Sequence, residues 1–189
     1  MQWQFRGSQQ GSRMARRLQL FFACFGIAFV LGSIGYVGLK LVLPNGRVFG
    51  ALPRMFLYHE AHPFEYIALV ALSYGAVVTI CVPRFSHRSG WSRRIANFAI
   101  MCASVLLASV AGGFLWKIHD MQAGFFPSGA RFWSDLTEGA AAGLQVGWLI
   151  ALLSFPYKLL GLIAGYLVTA QTFKITARLM APIPERSYA

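Results

Sequence analysis

RMARRLQLFFACFGIAFVLGSIGYVGLKLVLPNG, residues 13–46, is the stretch whose reading decides the fold. Three arginines, Arg13, Arg16 and Arg17, stand before an apolar run of about 26 residues, Leu18 to Leu43. Pro44-Asn45-Gly46 then closes the run as a turn. A helix rises about 1.5 Å per residue, so about 20 apolar residues cross the hydrocarbon core of a bilayer. The apolar core of a secretory signal is only about 7–15 residues and ends at a small-residue cleavage site. The run therefore reads as an uncleaved first transmembrane helix.

Outward from this stretch the pattern repeats. Further apolar runs extend from Phe64 to Val82, from Ile95 to Trp116 and from Gly139 to Phe173. Pro63 suits the first position of the second helix, with Glu65 in its first turn, and Pro83 ends it. The charges sort between the gaps. Arg6, Arg13, Arg16 and Arg17, then Arg84, Arg88, Arg93 and Arg94, then Lys174, Arg178 and Arg186 occupy one set of segments. Glu60, Glu65, Asp120, Asp135 and Glu138, with His59, His62 and His119, occupy the other. Basic segments resist translocation, so they mark the cytoplasmic side. The expected fold is an all-α polytopic membrane protein of four transmembrane helices with both termini cytoplasmic. Residues 1–17 form a basic N-terminal segment, 18–173 the membrane domain with outer loops 44–63 and 117–137, and 174–189 a basic tail.

The fourth run is long, about 35 residues, and Pro156 and Lys158 interrupt it. One partition is a single spanning helix that continues, kinked, into the cytoplasmic interface. The other is two short helices turning at Phe155-Pro156-Tyr157-Lys158, which makes five spans. The second places Lys174, Arg178 and Arg186 outside, against the positive-inside bias, so four spans are preferred.

Composition agrees. The chain is 57% hydrophobic and 12% charged, where a soluble domain carries about 25% charged residues. The net charge of +11 serves orientation and contact with anionic lipid headgroups, and does not point to nucleic acid. Cys24, Cys81 and Cys102 all fall inside apolar runs, which argues against a thiol-oxidising enzyme that needs exposed cysteine pairs. Compact loops and the charge bias suggest a bacterial inner membrane.

Three sets of residues stand out. Gly139, Gly143 and Gly147 repeat a GxxxG spacing, and Ser104, Ala108 and Gly112 offer a matching small face on the third span. Such faces let helix backbones approach closely, within one bundle or between protomers. His59-Glu60-Ala61-His62 sets two imidazoles three residues apart, on one face if the segment is helical. His119 and Asp120 arrive on the same side of the membrane. His59, His62, His119 and Asp120 are a ligand set for a transition metal such as zinc, iron or copper. Asp135 and Glu138 resemble caps at the start of the fourth helix. Lys158 is an intramembrane charge, a functional residue by default unless it snorkels from the cytoplasmic end of its helix.

Three classes of function follow. The first is a non-enzymatic membrane subunit, an anchor, scaffold or assembly partner that associates through its glycine faces with itself or other subunits. The second is a metal-binding membrane enzyme with its His/Asp/Glu cluster at the outer face. The third is an oligomeric pore or small transporter.

Overall fold

The structure, a computed structural model, describes residues 2–43, 48–49, 57–125, 131–153 and 156–180. The Pro44-Asn45-Gly46 turn, the tail beyond Met180 and the Arg186 within it lie outside the described residues. Among the described residues every regular element is helical. The order is α1 (Gln2–Val42), α2 (Leu57–Ala61), α3 (Pro63–Phe85), α4 (Gly90–Gln122), α5 (Phe132–Ala142), a π-helical turn (Gly143–Gly147), α6 (Trp148–Leu153) and α7 (Tyr157–Met180).

Four helical segments are long and apolar enough to cross a membrane: Met14–Val42, Pro63–Phe85, Gly90–Gln122 and Tyr157–Thr176. Large side chains such as Phe22, Ile34, Leu41, Phe98 and Leu167 point outward and stay exposed, as expected of helices whose solvent is lipid. The molecule is an integral membrane protein with several crossing helices.

The helices alternate in direction. Cys24 of α1, Tyr74, Val78 and Val82 of α3, Ala96 and Ile100 of α4 and Phe173 of α7 form one buried cluster. It lies near the link between α3 and α4, where Arg84 of α3, Arg88 of the link and Arg93 and Arg94 of α4 gather; we term this the arginine end. At the opposite, histidine end, Tyr36, Val48, Phe49 and Ile67 form a second cluster, with Tyr157 packed against it. α7 thus starts near the histidine end and finishes at the arginine end, antiparallel to α1 and α4.

Side chains latch α7 to its neighbours by bonds to backbone and hydroxyl groups. The Tyr157 hydroxyl donates to the Gly32 carbonyl of α1 at 2.9 Å. The Tyr74 hydroxyl lies 2.7 Å from Thr169 Oγ1, which itself donates to the Gly165 carbonyl at 2.8 Å. Asn97 Nδ2 donates to the Tyr166 carbonyl at 3.1 Å. In a bilayer no water competes for these groups, so each bond satisfies a donor that has few alternatives.

Several boundaries differ from the sequence reading. α1 begins at Gln2, so the basic segment continues the first helix. α3 does not stop at Pro83 but takes it in and runs to Phe85; Ser86 Oγ then donates to the Pro83 carbonyl at 3.1 Å. α4 extends to Gln122 and takes in Lys117, His119 and Asp120. α5 starts at Phe132, so Asp135 lies in its first turn, and its N-cap residue, Arg131, makes no side-chain capping bond.

The largest difference is in the fourth apolar run. Its described part is two helical pieces, 132–153 and 157–180, the second beginning just after Pro156. Only the second piece qualifies as a crossing helix. The first lies along α4 through glycine. A Cβ on Gly139 would meet the Gly113 carbonyl oxygen at 2.6 Å, and one on Gly143 would collide with the Ser109 carbonyl. A Cβ on Gly147 would meet the Ser109 Cβ at 2.7 Å. Residues four apart drift by about 40° around an α-helix. A π turn is wider and rotates each residue by less, which reverses that drift between Gly143 and Gly147. The three glycines therefore keep one heading, toward α4. Their partner strip is Ser109 and Gly113, one position on from Ser104, Ala108 and Gly112. Ser104 and Ala108 are buried beside the interior cavity described below, and a Cβ on Gly112 would meet open space.

Candidate functional site

Pro63 is the hinge of the histidine end. The residue before a proline is driven out of the α region, and His62 has φ −127° and ψ 54°. α2 therefore ends at Ala61 and α3 starts afresh at Pro63. His59 and His62 do not share a helix face, contrary to the expectation from their spacing.

His62 instead faces along α3. Its Nδ1 lies 3.2 Å from Glu65 Oε1. α4 runs back antiparallel to α3 and delivers His119 from its last turn, with Nε2 3.1 Å from Glu65 Oε2. One carboxylate thus bridges two imidazoles, whose ring centroids are 4.3 Å apart. His62, Glu65 and His119 each offer a ligand atom, and these atoms lie within 4.8 Å of one another. His119 is buried, while His62 and Glu65 are open to the exterior. The buried Nδ1 of His119 has no hydrogen-bond partner among the described residues. Two imidazoles and a carboxylate, with access from one side, fit zinc or ferrous iron with open coordination positions. Glu65 completes this trio, and no spacing rule links it to His119, which is 54 positions away.

The other two expected ligands are engaged elsewhere. The Tyr58 hydroxyl donates to Asp120 Oδ1 at 2.8 Å. Burial, with this hydrogen bond and the carboxylate's charge adding to it, pushes the Tyr58 phenol up to about 12. The Tyr58 ring also packs edge-on against His119, 5.1 Å between centroids, and so fixes the imidazole's plane. His59 turns inward and stacks on Tyr66, with centroids 3.8 Å apart. Burial, then the neighbouring Lys158 and His119, pushes its imidazole down to about 3, so it is neutral at physiological pH. Glu60 accepts from the Phe49 backbone N–H at 3.2 Å and lies 3.9 Å from Lys40 Nζ. That contact ties the end of α1 to α2.

Beneath this polar layer lies a cavity of about 600 Å³, bounded by α1, α3, α4, the glycine-rich segment and α7. Its histidine-end wall includes His59, Tyr66, Lys117, Asp120 and Lys158. Its deeper wall is apolar, with Leu31, Val70, Met101, Val105 and Val168. Lys158 therefore lies toward the histidine end and not near the arginine end. The break before Tyr157 makes it the second residue of the last crossing helix and aims it into the bundle. Cys24, Cys81 and Cys102 are free thiols within the crossing helices. The chain matches no protein-family model, no curated protein and no solved structure.

Proposed function

We propose that this is a metal-binding membrane protein that holds one divalent transition-metal ion at His62, Glu65 and His119. The arginine end faces the cytoplasm, and the metal site faces the opposite side of a bacterial inner membrane. The observation that carries the reading is the convergence of two imidazoles and one carboxylate from α3 and α4, within 4.8 Å. The charge bias supports the orientation. An ion held by three protein ligands keeps positions open and supplies a Lewis acid or an activated water. Glu65 supplies negative charge, Tyr58 and Tyr66 fix the plane of His119, and the exposed edge of His62 leaves an entry path.

The subunit and pore readings lean on glycine faces free for another chain. Gly139, Gly143 and Gly147 are taken up inside the protomer against α4. Copy number is therefore read in the same experiment as metal content. Native mass spectrometry and elemental analysis of protein purified in mild detergent without chelator should give about one zinc, iron or copper per chain. His119→Ala and Glu65→Gln should weaken binding at least roughly tenfold, since even outer-shell changes cost that much. His59→Ala and Asp120→Asn should retain the metal. A metal-free protein, or metal unaffected by His119→Ala, would remove the proposal. A defined multimer without metal would restore the subunit or pore reading.

A further inference from the structure

Lys158 is the second residue of the crossing helix Tyr157–Thr176 and lines the cavity. Among the described residues no ion pair joins Lys158 to a carboxylate: Glu60 lies by Lys40, Glu65 by His62 and His119, and Asp120 accepts from the Tyr58 hydroxyl. A charge withdrawn from water without a counter-charge is costly, and intramembrane charges mark substrate or ion sites. A second group on the same wall is unsatisfied. Tyr66 is 5% exposed, and its buried hydroxyl has no hydrogen-bond partner among the described residues. Lys158 and Tyr66 flank His59, which stacks on Tyr66 and feels the Lys158 charge. Lys158 and the Tyr66 hydroxyl thus sit at the histidine end of the pocket, with Lys117 and Asp120 on the same wall and an apolar wall deeper in.

We infer that the cavity binds a single-chain amphiphile with a carboxylate head. The carboxylate's two oxygens accept from Lys158 Nζ and the Tyr66 hydroxyl, and its alkyl tail runs along α7 toward Met101 and Val168. The formal charges of Lys117 and Asp120 on that wall cancel, so Lys158 leaves a net charge matched one to one, and two donors meet two acceptor oxygens. A phosphate dianion would bring a second negative charge and a third oxygen that these two groups do not match. The size is also right. About 600 Å³ falls within the about 300–1,000 Å³ of small-molecule sites. From Lys158 to Val168 is ten residues of helix, about 15 Å, the length of a medium alkyl chain. The tail exchanges one apolar phase for another, so it contributes little affinity. Selectivity comes from the head.

The proposal rests on no metal, and protein stripped by a chelator is expected to bind equally. The test is equilibrium binding of labelled dodecanoate to protein held in amphipol, free of alkyl detergent. Wild type should saturate at one dodecanoate per chain. Lys158→Gln should weaken binding at least tenfold, Lys158→Arg should keep it within a few-fold, and Tyr66→Phe, which removes only an oxygen, should weaken it a few-fold. Dodecanol of the same chain length should not compete. Non-saturating uptake would overturn the proposal, as would wild-type affinity in both Lys158→Gln and Tyr66→Phe, or equal competition by dodecanol. Dodecyl phosphate binding tenfold tighter than dodecanoate would overturn the carboxylate assignment.

Discussion

Gly112 and Gly113 are neighbours on α4 with opposite surroundings, and alanine at each should move stability in opposite directions. A Cβ on Gly113 would collide with the Gly139 carbonyl oxygen, lie 2.8 Å from its carbon and 3.1 Å from the Gly143 Cα. All three are backbone atoms and none can rotate away. Overpacking costs about 1–3 kcal/mol, and a backbone obstacle places Gly113→Ala near the upper figure. Alanine in a helix interior returns about 1 kcal/mol relative to glycine. The net loss is about 2 kcal/mol. For a chain of this size each kcal/mol is worth about 2–4 °C, so Tm should fall by about 4–8 °C. A Cβ on Gly112 meets nothing within 4 Å, so Gly112→Ala keeps the helix gain and should raise Tm by about 2–4 °C. Thermal melts of the two variants in one detergent, followed by near-ultraviolet circular dichroism, read the difference directly. Equal shifts would mean that the glycine segment does not lie against α4. A changed oligomeric state in Gly113→Ala with an unchanged Tm would move the glycine contact to a boundary between protomers.

Other outcomes follow from single contacts. Chelation should lower the Tm of metal-loaded protein, because an ion at about 100 times its Kd adds about 2.7 kcal/mol; His119→Ala should show no such drop. Tyr157→Phe removes the bond to the Gly32 carbonyl and should cost about 1 kcal/mol, read as a fall of about 2–4 °C. His59 is held near 3 when folded, against about 6.5 when unfolded. Between those values the unfolded chain binds the extra proton, so stability should fall as pH drops below about 6.5. His59→Phe should flatten that acid limb in melts from pH 7.5 to 4.5, and an unchanged limb would refute the assignment.

The first three crossing helices were legible because each apolar run ends at a breaker or a cluster of charge. The last was not. Residues 139–173 are mostly apolar, and lipid-facing and bundle-facing side chains look alike, so periodicity does not single out 157–176 as the part long and apolar enough to cross among the described residues. Nor did spacing choose between two small strips on α4. Ser104, Ala108 and Gly112 have the same spacing as Ser109 and Gly113, and only the seating of the helix selects the second. At the histidine end, His62 and His119 were legible as ligands on one side of the membrane. His59 joins their group by spacing alone, which does not register the break that Pro63 imposes on the residue before it. Glu65 was not in the ligand set because its meeting with His119 depends on the antiparallel offset of α3 and α4.

The latching of α7 bears on how the chain is made. α7 follows in sequence every helix it packs against, so α1, α3 and α4 enter the membrane before it is synthesised. Until it arrives, the Tyr74 hydroxyl lacks Thr169, the Asn97 amide lacks the Tyr166 carbonyl, and Phe173 is missing from the cluster around Cys24. The nascent bundle is thus a three-helix intermediate with polar groups bared to hydrocarbon, the kind of surface that membrane chaperones and proteases inspect. The arrival of α7 supplies the missing partners, so the packing of these three helices depends on a segment synthesised after them.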